Sequence, residues 1–246
     1  MHGHQQNLKE TSRLPKKVLV VIPAFNEAGR VAAVIRELKS DYPDFDLLVV
    51  DDCSNDTTAQ EARSAGAKVA SLAFNLGIGG AVQTGLKYAQ KNNYDIAIQV
   101  DADGQHDPAF INEILQPLLS DRLDICVGSR FILQEGFKSS FFRRLGIRFF
   151  AGLISLLTGE KLTDPTSGFR AIGPKLIGLF AHNYPVDFPE PESLVMARQF
   201  GARIGEVPVV MRKRQGGVSS IRYLKSGYYM LKVTLAIILW RLRKGP

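Results

Sequence analysis

The sequence predicts an α/β fold: one mostly parallel central sheet flanked by helices on both faces. Three observations carry this. Short β-branched runs alternate with helical patterns of about ten residues through the first half of the chain, the order expected of strand–helix–strand units. The strand-like runs are short and apolar throughout, as strands buried on both faces are. At 246 residues the chain can form one large domain with a substantial core.

The elements follow in order. A first strand over 18–22 ends in Pro23-Ala24-Phe25-Asn26-Glu27, a turn with two polar side chains, and a helical pattern covers 31–39. The second strand, 47–50, runs into Asp51-Asp52-Cys53-Ser54-Asn55-Asp56-Thr57. There Ser54, Asp56 or Thr57 is suited to cap a helix over 57–65. The third strand, 68–72, leads to Asn75-Leu76-Gly77-Ile78-Gly79-Gly80-Ala81, which opens a helix over 80–91. These glycines miss the Gly-x-Gly-x-x-Gly spacing of dinucleotide sites. They serve equally as a structural turn or as a place where backbone approaches a phosphate or ribose. The fourth strand, 96–100, ends in Asp101-Ala102-Asp103-Gly104-Gln105-His106-Asp107, before a helix over 108–119. The fifth, 125–128, runs into Gly128-Ser129-Arg130. Beyond Arg130 the alternation gives way to longer loops, an amphipathic helix over 141–157 with basic residues Arg143, Arg144 and Arg148, and a helix starting near Ser193. Residues 1–17 are expected to be a flexible polar arm, 18–221 the main domain, and 222–246 a basic and apolar C-terminal segment.

Charge is uneven. The formal net charge is +7, yet residues from Arg203 onward carry +9, with Glu206 as their only acid. No nucleic-acid-binding motif accompanies this basic end, and its charges interleave with an apolar stretch over 228–240. An anionic membrane surface is therefore the expected partner rather than nucleic acid. That stretch is 13 residues, short of the roughly 20 that a spanning helix needs. It suits contact with a membrane, a second copy of the chain or a small integral membrane protein. Cys53 and Cys126 form neither a ligand pattern nor a disulfide framework, which fits a reducing compartment. The N-terminal arm has no apolar segment of the secretory kind.

The chemistry concentrates at Asp101 and Asp103. Open α/β sheets bind ligands at the carboxyl ends of their strands, and two acids one residue apart repel unless a cation lies between them. With the amide oxygen of Gln105 they suit a hard ion, Mg²⁺ or Mn²⁺, shared with a substrate phosphate. The competing reading is a solvated loop capping the helix near Pro108. Helix capping explains Asp56 better than Asp51 and Asp52, which are placed to accept hydrogen bonds from a nucleobase or ribose. Arg130 at a strand end suits bidentate phosphate recognition. Thr163-Asp164-Pro165-Thr166-Ser167-Gly168-Phe169-Arg170 is a compact polar loop, and Arg212-Lys213-Arg214-Gln215-Gly216-Gly217-Val218-Ser219-Ser220 is a basic one with glycine hinges. Together these groups offer countercharge to a departing nucleoside diphosphate.

In this order the motifs resemble family 2 glycosyltransferases of the polyprenyl-phosphate sugar synthase type, which includes dolichyl-phosphate mannose synthases. The match covers about 18–221. The resemblance implies the GT-A fold, with a nucleotide-diphospho-sugar site on one mixed sheet. It implies Asp101, Asp103 and Gln105 as ligands of Mg²⁺ or Mn²⁺. Pro23, Glu27, Asp52, Gly79, Asp101 and Ala102 are then the donor-nucleotide contacts, and Asp103, Arg130 and Arg214 the catalytic groups. The acceptor phosphate falls to Arg130, Arg144, Arg170, Arg212 and Ser219, with Arg143 an equal match for Arg144. Glu190 and Glu192, in Phe188-Pro189-Glu190-Pro191-Glu192, are candidate base or sugar contacts.

The implied reaction is an inverting transfer from a nucleotide sugar to undecaprenyl or dolichyl phosphate. It is expected on the cytoplasmic side, at the inner face of the cell membrane. Two alternatives stand: transfer to a sugar hydroxyl of a growing polysaccharide, which needs a carboxylate base, and a non-catalytic nucleotide-sugar-binding partner of a membrane protein.

Overall fold

Seven consecutive residues of β1 (Val18–Ala24) are buried, because the strand runs through the middle of the sheet with helices on either side. The computed structural model describes residues 16–133 and 141–212 together with Lys232, Thr234 and Leu235; side chains of residues 141–145 lie outside the described set. After β1 come α1 (Val31–Asp41), β2 (Asp46–Asp51), α2 (Thr58–Ser64), β3 (Lys68–Ser71), α3 (Gly77–Lys91) and β4 (Ile96–Gln99). A 3₁₀ turn, Pro108–Phe110, leads into α4 (Ile111–Leu119), β5 (Ile125–Ser129) and α5 (Phe141–Thr158). The described chain then adds β6 (Arg170–Ile172), α6 (Pro174–His182), α7 (Pro189–Gln199) and β7 (Ile204–Pro208). Lys16 and Lys17, assigned to the arm from sequence, are tied to the domain: Lys17 N–H donates to Asp95 at 2.7 Å.

The strand order is β3-β2-β1-β4-β6-β5-β7. All neighbours are parallel except β6, which runs antiparallel to both β4 and β5. The sheet is thus mostly parallel and mixed, as expected. β6 and β7 had no counterpart in the sequence reading. A three-residue strand such as β6 has no period to detect, and its pairing partners lie 43 to 75 residues away in the chain.

Alternate residues of β1 divide between two cores. Leu19 and Val21 pack with α3, α6 and α7 on one face, through Leu86, Phe180 and Leu194. Val18, Val20 and Ile22 pack with α1 and α4 on the other, through Ile35, Leu38 and Ile114. Helix α3 lies very close to β1. A Cβ on Gly85 would sit 2.2 Å from Val21 Cγ1, so only a residue without a side chain permits the approach. Gly85→Ala is expected to cost about 1–3 kcal/mol through overpacking, seen as a lower denaturant midpoint at unchanged m value.

Candidate active site

The chain order reverses at β1, whose neighbours are β2 on one side and β4 on the other. Such a switch point opens a crevice at the carboxyl ends of the strands. A cavity of about 770 Å³ occupies it, a size suited to a ligand such as a nucleotide sugar. The end of β1 supplies Pro23 and Ala24, the loop after it Phe25, Asn26, Glu27 and Arg30, and Asp52 follows β2. The start of α3 supplies Asn75, Gly77, Ile78 and Ala81, while Asp101, Ala102 and Asp103 follow β4.

Hydrogen bonds between loops hold this rim. Asn26 N–H donates to Ser54 Oγ at 2.9 Å, and Asn55 N–H donates to Asn26 Oδ1 at 2.9 Å. Asn26 and Cys53 both adopt positive φ, 55° and 63°, a conformation costly for residues other than glycine. Asp56 accepts from Thr58 N–H and Ala28 N–H and so ties the start of α2 to the loop after β1; the N-cap position itself is Thr57, with no side-chain cap bond. Asp52 is buried, and its two oxygens accept Leu76 N–H and Gly77 N–H at 2.7 and 2.8 Å. It therefore clamps the N-terminus of α3, where negative charge is favourable, while also lining the cavity. Glu27 lines the cavity in an ion pair with Arg30.

Asp101 is the most accessible carboxylate of the pair, with its side chain 37% exposed. Its main-chain N–H donates to His106 Nδ1 at 3.0 Å. That bond requires Nδ1 to be unprotonated, so the neutral ring carries its proton on Nε2, 3.6 Å from Asp101 Oδ2. The ring also stacks on Phe169, with centroids 4.8 Å apart. His106 thereby fixes the loop on which Asp101 stands. Asp103 is buried and accepts Gln105 N–H at 3.0 Å. Among the described residues no three His, Cys, Asp or Glu side chains converge as a metal-holding group. Two carboxylates on a cavity wall nevertheless fit Mg²⁺ or Mn²⁺, which draw remaining ligands from substrate phosphate and water. Gln105 stands beside them, outside the cavity lining.

Other sequence-derived residues fall elsewhere. Gly79 is a correction: it packs against the 185–186 backbone, where an added Cβ would meet Pro185 O at 2.6 Å. The cavity wall is instead formed by Gly77, at φ +74°, and Ile78. Arg170 is a second correction. It is fully buried, and its guanidinium donates to Ser167 O, Glu190 O and Ser193 Oγ. It ties the turn before β6 to the start of α7, with its guanidinium occupied by acceptors inside the protein. The guanidinium of Arg212 donates to Glu37 and Asp107 at 2.8 Å each, and its side chain stays 39% exposed. Arg214 and Ser219, and the side chain of Arg144, lie outside the described residues.

Arg130 has a more structured setting than a strand-end arginine implies. Its Nε and Nη2 donate to Asp164 at 2.6 and 2.7 Å, and Nη2 also reaches Thr166 Oγ1 at 3.1 Å. Burial works against its charge, but the hydrogen-bonded Asp164 overrides this, leaving its pKa above the ordinary arginine value. Asp101 and Glu190 act on it through their charge, although Arg130 itself is not part of the cavity wall. Burial pushes the Glu190 carboxyl up; Arg170 and Arg130 pull it down and Asp101 raises it further. Glu192 is buried within α7.

The residues missed from sequence are those whose roles come from pairing. Asn26 and Arg30 are on the cavity, Asp164 pairs with Arg130, and Glu206 accepts from Thr163 and Asp164. The only sequence signal for Glu206 was its position as the single acid in a basic tail.

Comparison with known proteins follows the same geometry. The family model described as "Glycosyl transferase family 2" matches residues 19–177. The UDP-N-acetylglucosamine–dolichyl-phosphate N-acetylglucosaminyltransferase of Methanococcus voltae is 31% identical over 79% of this chain and 85% of its own. The undecaprenyl-phosphate mannosyltransferase of Micrococcus luteus is 28% identical over 83% of this chain and 87% of its own. Among solved structures, glucosyl-3-phosphoglycerate synthase from Mycobacterium tuberculosis, in complex with Mn²⁺, UDP and phosphoglyceric acid, superposes with a TM-score of 0.67. It is 22% identical and covers 94% of this chain and 80% of that one, a likeness of fold. The family match over residues 19–177, and a relative above 30% identity along most of both chains, set the non-catalytic alternative aside. The chain belongs to glycosyl transferase family 2, with the GT-A fold, as a glycosyltransferase similar to the polyprenyl-phosphate sugar synthases.

Proposed function

We propose that this enzyme transfers a sugar, with inversion, from a nucleotide diphosphate to a polyprenyl phosphate at a membrane surface. The observation that carries the reading is Asp101 beside Asp103 on the wall of a cavity large enough for a nucleotide sugar, with Arg130 in electrostatic range. The names of the M. voltae and M. luteus relatives support a polyprenyl-phosphate acceptor. Asp101 and Asp103, with Gln105, would hold Mg²⁺ or Mn²⁺, which supplies countercharge to the donor diphosphate when bound.

The protein's own groups do the rest. The switch-point loops enclose the nucleotide, and Asp52 holds the α3 terminus against it. A phosphate acceptor is already anionic at neutral pH and needs no base. Its difficulty is repulsion from the donor diphosphate, and Arg130 offsets it. The Asp164 pair occupies Nε and Nη2 of Arg130 and leaves Nη1 without a hydrogen bond among the described residues. On α5, Phe149 and Leu156 are 47% and 81% exposed, an apolar face that supports contact with lipid. Among the described residues no helix is long and apolar enough to cross a membrane, so attachment at the inner face of the cell membrane is peripheral in this reading. The 228–240 stretch, proposed to meet lipid, a second copy or a membrane partner, lies almost entirely outside the described residues.

The test is a panel of UDP-, GDP- and dTDP-sugars against undecaprenyl and dolichyl phosphate, with and without EDTA. Labelled sugar should become extractable into organic solvent only when divalent metal and lipid phosphate are both present. Turnover with polysaccharide but not with either lipid overturns the reading.

The raised Glu190 carboxyl favours a second reading, transfer to a sugar hydroxyl. A base acts when ionised, and burial delays ionisation of Glu190 to higher pH. Under this reading transfer would rise with pH above the ordinary glutamate range, and Glu190→Gln would abolish that rise and lower the rate about 10²–10⁴-fold. Under the lipid-phosphate reading Glu190→Gln leaves the pH profile of transfer unchanged.

A further inference from the structure

We propose that Glu206 is a positioning residue for the transfer reaction: it fixes the loop carrying Asp164, and through Asp164 sets the orientation of the Arg130 guanidinium. Glu206 is on β7, opposite Val127 of β5, and its carboxylate reaches across to the loop ahead of β6. It accepts three hydrogen bonds there, from Thr163 N–H at 2.7 Å, Thr163 O–H at 2.7 Å and Asp164 N–H at 2.8 Å.

The direction of the neighbouring bond follows. Thr163 has one hydroxyl proton and gives it to the carboxylate, so in the 2.6 Å contact between Ser129 Oγ and Thr163 Oγ1 the serine must donate. Ser129 Oγ in turn accepts Phe131 N–H at 3.2 Å. A hydrogen-bonded chain thus runs from Glu206 through Thr163 to Ser129 and Phe131, on either side of Arg130, while a direct bond reaches Asp164, Arg130's partner. Asp164 accepts the Arg130 main-chain N–H at 3.2 Å in addition to the two guanidinium bonds. With Nε and Nη2 held, Nη1 is the guanidinium nitrogen left to meet an incoming anion.

Pairing of β5 with β7 uses backbone groups and does not need a carboxylate at position 206. An ionised acceptor with several lone pairs suits three donors. The amide of Glu206→Gln would turn N–H toward at least one of them.

The inference rests on the reading of Arg130 as an acceptor-phosphate contact, and the test separates the two. The Arg130 Nε–H resonance is followed in heteronuclear spectra of the full chain, assigned by its loss in Arg130→Lys. Solvent exchange of this proton should be about 10-fold faster in Glu206→Gln than in wild type. Thr163→Val, which removes one of the three bonds, should accelerate it by a smaller factor and serves if Glu206→Gln does not fold. Unchanged exchange in the folded variants overturns the proposal.

The KM for undecaprenyl phosphate in detergent micelles is then measured, and is expected to rise about 10- to 100-fold with the donor KM unchanged. A purely structural role would lower kcat through loss of active enzyme and leave the Arg130 exchange rate and both KM values in place; that result also overturns the proposal. Faster exchange with an unchanged acceptor KM supports the Glu206–Asp164–Arg130 linkage and overturns the acceptor reading of Arg130.

Discussion

Asp101→Asn is expected to lower sugar transfer about 10³-fold in kcat, near 4 kcal/mol of lost transition-state stabilisation, with the fold intact. Asparagine matches aspartate in shape, and the main-chain bond to His106 does not involve the side chain. Its carbonyl oxygen can still face Gln99 Nε2, which lies 3.4 Å from Asp101 Oδ1. What disappears is the negative charge that would balance a divalent ion. Because the side chain is more than a third exposed, little desolvation accompanies the change, and the melting temperature should move by only about 2 °C. Kinetics, a Mn²⁺ titration followed by electron paramagnetic resonance and a thermal melt check the three parts. Transfer at the wild-type rate, with Mn²⁺ binding retained, contradicts the role given to Asp101.

Asp164→Ala should instead act on stability. Asp164 is fully buried and grips an arginine whose side chain is 18% exposed. Removing one partner of such a pair leaves a charge without compensation and costs about 3–5 kcal/mol. For a domain of this size that corresponds to a fall in melting temperature of about 10 °C or more. Asp164→Asn keeps one acceptor and should cost less. Asp164→Ala combined with Arg130→Met should recover much of the loss, because an apolar pair carries no unpaired charge. The comparison is made by thermal and chemical denaturation. A melt of Asp164→Ala within about 2 °C of wild type contradicts the buried pairing. Glu206→Gln, by contrast, is expected to disturb this pair without removing either charge.

Five strands and the helices between them were legible because their signals are local. The apolar run of β1, the turn after it and the period of α1 are all written within some 25 consecutive residues. The Asp101–Asp103 pair was legible for the same reason, a strand end being readable beside its own acids. The arginines show where local reading stops. Arg130 and Arg170 both follow short polar motifs, yet one pairs with the buried Asp164 carboxylate and the other is buried among carbonyls. Gly77 and Gly79 are two residues apart on one helix start; one lines the cavity and the other faces the 185–186 backbone. Side-chain fate in each case depends on segments distant in sequence, and for the two arginines on the chain around β6, whose antiparallel insertion has no local signature.

From residue order alone came the alternation of elements, the sheet's largely parallel character and the carboxylates at the rim of β4, since periodicity and turn chemistry act between near neighbours. Tertiary structure alone decided which charges became partners. Arg130 with Asp164, the 163–164 loop with Glu206, and Arg212 with Glu37 join groups separated by 34 to 175 residues. A buried or half-buried charge is stable only where folding supplies its counterpart, and no stretch of sequence around one partner specifies the other.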